Sequence, residues 1–221
     1  MKLVIFDVDG TLSDSAAQIC ASMDWGFSQL GLPVPSRAAT LSIVGLSLPE
    51  AVAQLVPELP AATRAEIVEF YKKSYQDRRI AQPAPLFAGA AETLDRLSGR
   101  EDLLLGVATG KSRRGLDALI AHHGLTGTFF TRQVADDHPS KPHPSMVLTA
   151  LADAGADPAE AVMIGDTTYD IEMGRAAGVA TIGVRWGYHP AEDLVAAGAD
   201  RLVDDFAALE TAVDELLGGC A

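Results

Sequence analysis

From Leu103 onward the chain alternates short apolar runs with helical patterns. Leu103–Ala108 (LLLGVA), Phe129–Val134, Ala161–Ile164 (AVMI), Ala180–Val184 and Arg201–Val203 read as strands. Helical patterns occupy Ser112–His123, Ser145–Ala154, Tyr169–Ala177 and Ala191–Ala197, and Gly124, Gly155, Gly178 and Gly198 close them. Glycine just past a helix is the usual left-handed cap. Strands alternating with helices predict a parallel, doubly wound α/β sheet. An earlier run, Lys2–Phe6 (KLVIF), stops abruptly at Asp7-Val8-Asp9-Gly10 and reads as a buried strand ending in a tight turn.

Residues 15–83 break this rhythm. They carry helical patterns at Ala16–Leu30, Leu48–Leu55 and Thr63–Tyr75 and no convincing buried strand. Ser13-Asp14-Ser15 and Gln82-Pro83-Ala84-Pro85 bound the stretch. The expected organisation is a core of residues 1–14 and 84–221 with a helical insert, 15–83, joined by two hinges. A chain of 221 residues, 48% hydrophobic, is long enough for such a core and a modest insert.

The formal net charge of -13 opposes binding to nucleic acid and to anionic lipid. No apolar run approaches the length of a membrane span. Cys20 and Cys220 show no metal or redox spacing, and two cysteines make no disulfide framework. With no signal-peptide pattern ahead of Asp7, the expectation is a soluble cytoplasmic protein with free thiols.

Four polar clusters fall at the ends of expected strands, where open parallel sheets bind ligands. They are Asp7/Asp9, Thr109-Gly110-Lys111-Ser112, Lys141-Pro142 and Asp166/Asp170. Turn chemistry explains Asp9-Gly10 but not Asp7. Two carboxylates about 4 Å apart repel by roughly 4 kcal/mol at an effective dielectric near 20. Asp166 suits a helix N-terminus, but Asp170 one turn later on the same face repeats the repulsion. One divalent cation relieves both pairs, and hard oxygen ligands favour Mg²⁺. Thr109 and the following N–H groups at a helix start form an anion site. Gly106 to Gly110 has one residue too few for a P-loop. Lys141 supplies a point positive charge, although a lone lysine is more often a solvated one.

The motifs resemble those of haloacid dehalogenase-like hydrolases. Asp7-Val8-Asp9-Gly10-Thr11-Leu12 is similar to the family's first signature, and Val107-Ala108-Thr109-Gly110 to its second. Lys141-Pro142 is similar to the third, and Gly165-Asp166-Thr167-Thr168-Tyr169-Asp170 to the fourth. The DGTLSDSA opening, the insert's position and Gly187-Tyr188-His189 resemble the phosphoglycolate phosphatase-like branch, with its small helical cap on a Rossmann-like core.

The resemblance implies a Mg²⁺-dependent phosphatase for small phosphate esters, with 2-phosphoglycolate as the first substrate to try. It implies Asp7 as nucleophile and Asp9 as general acid, then base. It gives the metal to Asp7, the Asp9 main-chain carbonyl and Asp166, with Asp170 supporting. Thr109, the Gly110 N–H and Lys141 would hold the phosphoryl oxygens.

Sugar phosphomutase and pyrophosphatase chemistry would keep the same residues, and a dehalogenase would not need Asp9. An imine-forming phosphonate hydrolase would need a cap lysine, but Lys72 and Lys73 sit on a pattern that looks solvated. A phospho-aspartate receiver module is a non-catalytic alternative, disfavoured by the insert and by the DxD on the first strand. His122, His123, His138 and His143 read as structural or exposed. Tyr188-His189 and Gly45-Leu46 are possible neighbours of the site.

Overall fold

Lys2–Phe6 is apolar without interruption because both of its faces are buried. Val4 and Phe6 pack into one hydrophobic cluster, and Leu3 and Ile5 into another on the opposite face. Such a strand belongs at the centre of a parallel sheet. The computed structural model describes residues 1–218 and puts it there.

The strands are β1 (Lys2–Phe6), β2 (Leu103–Thr109), β3 (Thr131–Val134), β4 (Ala161–Gly165), β5 (Ala180–Val184) and β6 (Arg201–Val203). They form one sheet in the order β3-β2-β1-β4-β5-β6, every pair parallel. The chain winds outward from β1 to β3 and then returns to the far side of β1. That reversal between β1 and β4 opens a crevice at the carboxyl ends of the strands.

The helices are α1 (Ala16–Gln29), α2 (Arg37–Leu41), α3 (Leu48–Leu55), α4 (Ala61–Ala81), α5 (Ala90–Ser98), α6 (Arg113–His122), α7 (Ser145–Ala154), α8 (Thr168–Ala176), α9 (Ala191–Ala196) and α10 (Phe206–Gly218). Leu94, Leu116 and Leu209 bring α5, α6 and α10 onto one face of the sheet. Met146 and Met173 bring α7 and α8 onto the other. Three helices go beyond the sequence reading: α2, α5 and α10. In addition, α4 runs past Tyr75 to Ala81. Cys20 is a free, half-buried thiol, while Cys220 lies outside the described residues.

Between β1 and α5, helices α1–α4 pack around a cluster of their own, built on Met23, Phe27, Ile43, Val52 and Ile67. The segments that enter and leave these helices run side by side. Asp14 N–H donates to Pro85 O at 2.9 Å, and Phe87 N–H to Leu12 O at 3.0 Å. Ser13 and Leu86 form an antiparallel bridge between them. Among the described residues, no helix is long and apolar enough to cross a membrane.

Candidate active site

The β1/β4 register pairs Phe6 with Ile164, so Asp7 and Asp166 emerge side by side where the two strands end. Asp7 N–H continues the ladder by donating to Ile164 O at 2.9 Å. Lys141 comes from the loop between β3 and α7. Its Nζ donates to Asp7 Oδ1 and to Asp170 Oδ1, each at 2.6 Å. This lysine is buried, contrary to the solvated role such a residue usually has. A buried ammonium between two carboxylates is stable only because both partners face it.

The other carboxylate oxygens have separate duties. Asp170 Oδ2 accepts from the Thr167 N–H at 3.1 Å and from its hydroxyl at 2.7 Å, which caps α8. Asp166 Oδ1 accepts from the Thr11 hydroxyl at 2.9 Å, and Oδ2 from the Tyr188 N–H at 2.9 Å. Gly10, at φ 93°, presses so close that a Cβ there would lie 2.2 Å from Asp166 Oδ2. Only glycine tolerates both that φ and that approach. Asp7 Oδ2 alone among these oxygens is buried without a hydrogen-bond partner.

Asp7, Asp166 and Asp170 each bring an oxygen within 4.8 Å of the others. With all three ionised, three carboxylates against one ammonium leave two negative charges, the charge of one divalent cation. Burial pushes Asp7 up from the ordinary 3.8 to about 7, with Asp170 and Asp9 adding to it against the opposing charge of Lys141. Burial, then the charges of Asp7 and Asp170, push Asp166 well above its ordinary value. Burial opposes the charge on Lys141, but Asp170 and Asp7 outweigh it and raise the ammonium's pKa.

The carboxylate of Asp9 lies outside this trio. Its Oδ1 accepts from Lys111 Nζ and from the Ser15 hydroxyl, each at 2.5 Å. Lys111 Nζ also donates to the Tyr75 hydroxyl of α4 at 2.8 Å. Sequence reasoning placed Lys111 in an anion-binding cluster at a helix start but assigned it no role, and it missed Tyr75 and Ser15. The only available signal was that Lys111 follows Thr109-Gly110 at a strand end. Thr109 is buried, and its Oγ1 accepts from Lys111 N–H at 3.2 Å.

Asp7, Asp9, Thr109 and Gly110 line a cavity of about 570 Å³ that extends between the sheet and helices α1, α3 and α4. The loop after α2 closes on it. A Cβ on Gly110 would lie 2.6 Å from Gly45 O and 2.7 Å from Leu46 O. Gly110→Ala must therefore push this loop outward. We expect a several-fold rise in KM with a smaller change in kcat, read from steady-state kinetics.

His189 sits on the same side. Its Nδ1 accepts from Thr168 N–H at 3.2 Å, which leaves Nε2 to donate to Ser42 O at 3.1 Å. Tyr169 donates to the same carbonyl at 3.2 Å. Both are contacts between the α/β portion and the α2–α3 loop. His138 bonds Gln133 and Ser145, and His123 bonds Ala84 O, so both read as structural.

The profile of the haloacid dehalogenase-like hydrolases matches residues 4–184. The chain belongs to that family. Three curated relatives match along nearly their whole length. A probable phosphatase, IndB, of Dickeya dadantii is 37% identical over 97% of this chain and 94% of its own. The N-acetylmuramic acid 6-phosphate phosphatase of Pseudomonas putida is 32% identical over 100% and 99%. The phosphoglycolate phosphatase of Agrobacterium fabrum is 33% identical over 97% and 93%. As a haloacid dehalogenase-like hydrolase similar to the phosphoglycolate phosphatase branch, this chain is a phosphatase-type enzyme.

Proposed function

We propose that the chain is a Mg²⁺-dependent phosphatase that hydrolyses small phosphomonoesters through an aspartyl-phosphate on Asp7. One observation carries the reading. Asp7 lines the cavity with Oδ1 held by Lys141, while Oδ2 is buried and unpartnered. The large majority of buried polar atoms have a hydrogen-bond partner, so a buried carboxylate oxygen left alone in a cluster of acids calls for one. That oxygen, with the adjoining oxygens of Asp166 and Asp170, fits Mg²⁺, a cation satisfied by few carboxylates plus water. Asp7, Asp166 and the Asp9 main-chain carbonyl would hold the ion, with Asp170 in support. When bound, Mg²⁺ neutralises charge on the attacking carboxylate and the phosphoryl group.

The residues then divide the reaction. Lys141, the Thr109 hydroxyl and the Gly110 N–H orient the phosphoryl oxygens, and fixed charges do most of the catalytic work. An Asp7 oxygen forms a bond to phosphorus as the bond to the leaving oxygen breaks. Asp9 gives its proton to that oxygen. It then takes a proton from water as the water attacks phosphorus and the Asp7–phosphorus bond breaks, which releases inorganic phosphate. Residues 15–83 serve as a lid hinged at the paired segments near Asp14 and Pro85, over the core of 1–14 and 84–221. A lid excludes water and selects the leaving group. It also obstructs folded proteins, and the charge of -13 opposes nucleic acid.

The direct test is Mg²⁺-dependent release of phosphate from p-nitrophenyl phosphate and aliphatic phosphomonoesters. A receiver module would show essentially no turnover. Asp9→Asn separates acid catalysis from positioning. The loss should reach about 10²–10⁴-fold for alkyl phosphates, whose leaving groups need a proton. It should be much smaller for p-nitrophenyl phosphate. Equal losses across leaving-group pKa would reduce Asp9 to a structural role.

A further inference from the structure

We propose that Arg79 is a specificity residue that receives a carboxylate carried by the alcohol half of the substrate. The inference rests on the phosphatase reading and narrows it from small phosphomonoesters to phosphorylated acids of sugar size.

The first observation is room. A cavity of about 570 Å³ is far more than a two-carbon acid fills, and lies within the roughly 300–1,000 Å³ of pockets that enclose larger small molecules. One wall is apolar, with Ile19 and Met23 from α1 and Ile43 and Leu46 from the loop after α2. That wall suits a carbon skeleton and cannot receive a charge.

The second observation is a row of side chains on α4. Tyr71, Tyr75 and Arg79 recur every four residues, which places them along one helix face. All three line the cavity. The two tyrosine rings stack with centroids 5.6 Å apart and planes 10° apart. The Tyr75 hydroxyl is anchored on Lys111, whose Nζ holds Asp9. The row therefore starts from the group that serves the leaving oxygen. Arg79 stands one turn further along, about 6 Å at 1.5 Å per residue.

The third observation is charge. Lys111 and Lys141, the other cations nearest the reaction centre, are each paired with an aspartate. Among the described residues neither Arg79 nor Arg114, which also lines the cavity, has a carboxylate within 4.0 Å, in a chain with 30 acidic and 17 basic side chains, and of the two only Arg79 continues the row on α4. Among the described residues its one side-chain hydrogen bond runs from Nη1 to the main-chain carbonyl of Arg114, at 3.3 Å. The planar guanidinium keeps further donors free, and their natural match is a carboxylate. Asp136, also at the cavity, accepts from the Arg113 N–H at 2.7 Å. A short acid such as 2-phosphoglycolate instead carries its carboxylate on the carbon that bears the leaving oxygen.

Matched substrate pairs test this. 6-Phosphogluconate and sorbitol 6-phosphate differ only in a terminal carboxylate. N-acetylmuramic acid 6-phosphate and N-acetylglucosamine 6-phosphate differ only in the lactyl acid. The readout is the acid-to-neutral ratio of kcat/KM, in which any loss common to both members cancels. In at least one pair the wild type should favour the acid by about 10-fold or more, the scale of a charge-assisted hydrogen bond. Arg79→Gln should bring that ratio to within about 2-fold, and Arg79→Lys should restore part of it. A wild-type ratio near one in both pairs, or a ratio unchanged by Arg79→Gln, overturns the assignment. A wild type that hydrolyses p-nitrophenyl phosphate yet shows no acid preference sinks this inference alone. One inert toward every ester with Mg²⁺ sinks the phosphatase reading beneath it.

Discussion

Asp7→Asn is expected to lower kcat for every phosphate ester by at least about 10⁴-fold, the scale seen when a nucleophile is removed. The change is nearly isosteric, and the amide oxygen still accepts from Lys141, so the lysine keeps both of its partners. What disappears is the negative charge on the buried oxygen that has no partner. Chemical quench with a ³²P-labelled ester reads the outcome directly. Wild type should trap a phosphoryl group that hydroxylamine releases, as an acyl phosphate requires, and the variant should trap none. Label retained on the variant, or more than about 1% of wild-type kcat, would remove Asp7 from the nucleophilic role.

Withdrawing the metal should have an equally large effect and a distinctive pH signature. EDTA should abolish turnover and Mg²⁺ should restore it. In the metal-free protein, burial pushes Asp7 from 3.8 to about 7, and Asp166 rises for the same reason. Between these values the folded chain holds a proton that the unfolded chain releases. The resulting stabilisation is complete below about pH 4 and is lost as pH rises through about 7. The metal-free protein should therefore melt at progressively lower temperature as pH rises through neutrality.

Mg²⁺ takes the place of that proton and binds the folded state alone. At a hundred times its Kd it adds about 2.7 kcal/mol. For a chain of this size that is a Tm increase of about 5–10 °C. The increase should be larger at pH 8 than at pH 6, because protons and metal compete for the same oxygens. Scanning calorimetry with and without EDTA across that range measures both slopes. A Tm indifferent to Mg²⁺ at pH 8 would contradict the site.

The centre of the sheet was legible because β1, β2 and β4 are almost wholly apolar, whereas β3 (TRQV) and β6 (RLV) carry polar residues, and the site was legible because Asp7, Thr109 and Asp166 fall where such runs stop. Asp7 after Phe6 and Asp166 after Gly165 are conspicuous for that reason alone. Helices α5 and α10 bury Leu94 and Leu97, and Leu209 and Val213, at regular helical spacing. Their pattern was present but carried no chemistry to draw notice. The last turns of α4 were not legible at all. Gln76–Ala81 lacks apolar periodicity, and the contacts made there, such as Arg79 with Arg114, are tertiary.

The same limit hid the setting of Asp9. Lys111 is 102 residues away from it in sequence, and Tyr75 is 36 residues from Lys111. No local pattern encodes a bond across such separations. Lys141 was legible through its place after β3 and the Lys141-Pro142 resemblance, but its burial between Asp7 and Asp170 depends on the assembled sheet.

The central position of β1 also bears on how the chain acquires its shape. Lys2 pairs with Leu103, and Leu3 with Ala161, so neither neighbour of β1 exists until about half and then about three quarters of the polypeptide has followed it. Such distant pairings must meet a loop-closure cost before they yield any stabilisation, and they form late. Helices α1–α4 depend largely on one another for their apolar contacts and lie wholly within that interval. At roughly 5–20 residues per second on the ribosome, they have seconds in which to condense before β2 is made. The bridge between Ser13 and Leu86 then draws the two ends of that folded loop together. The helices that separate β1 from β2 in sequence thus shorten, in space, the gap their own length imposes between the two strands.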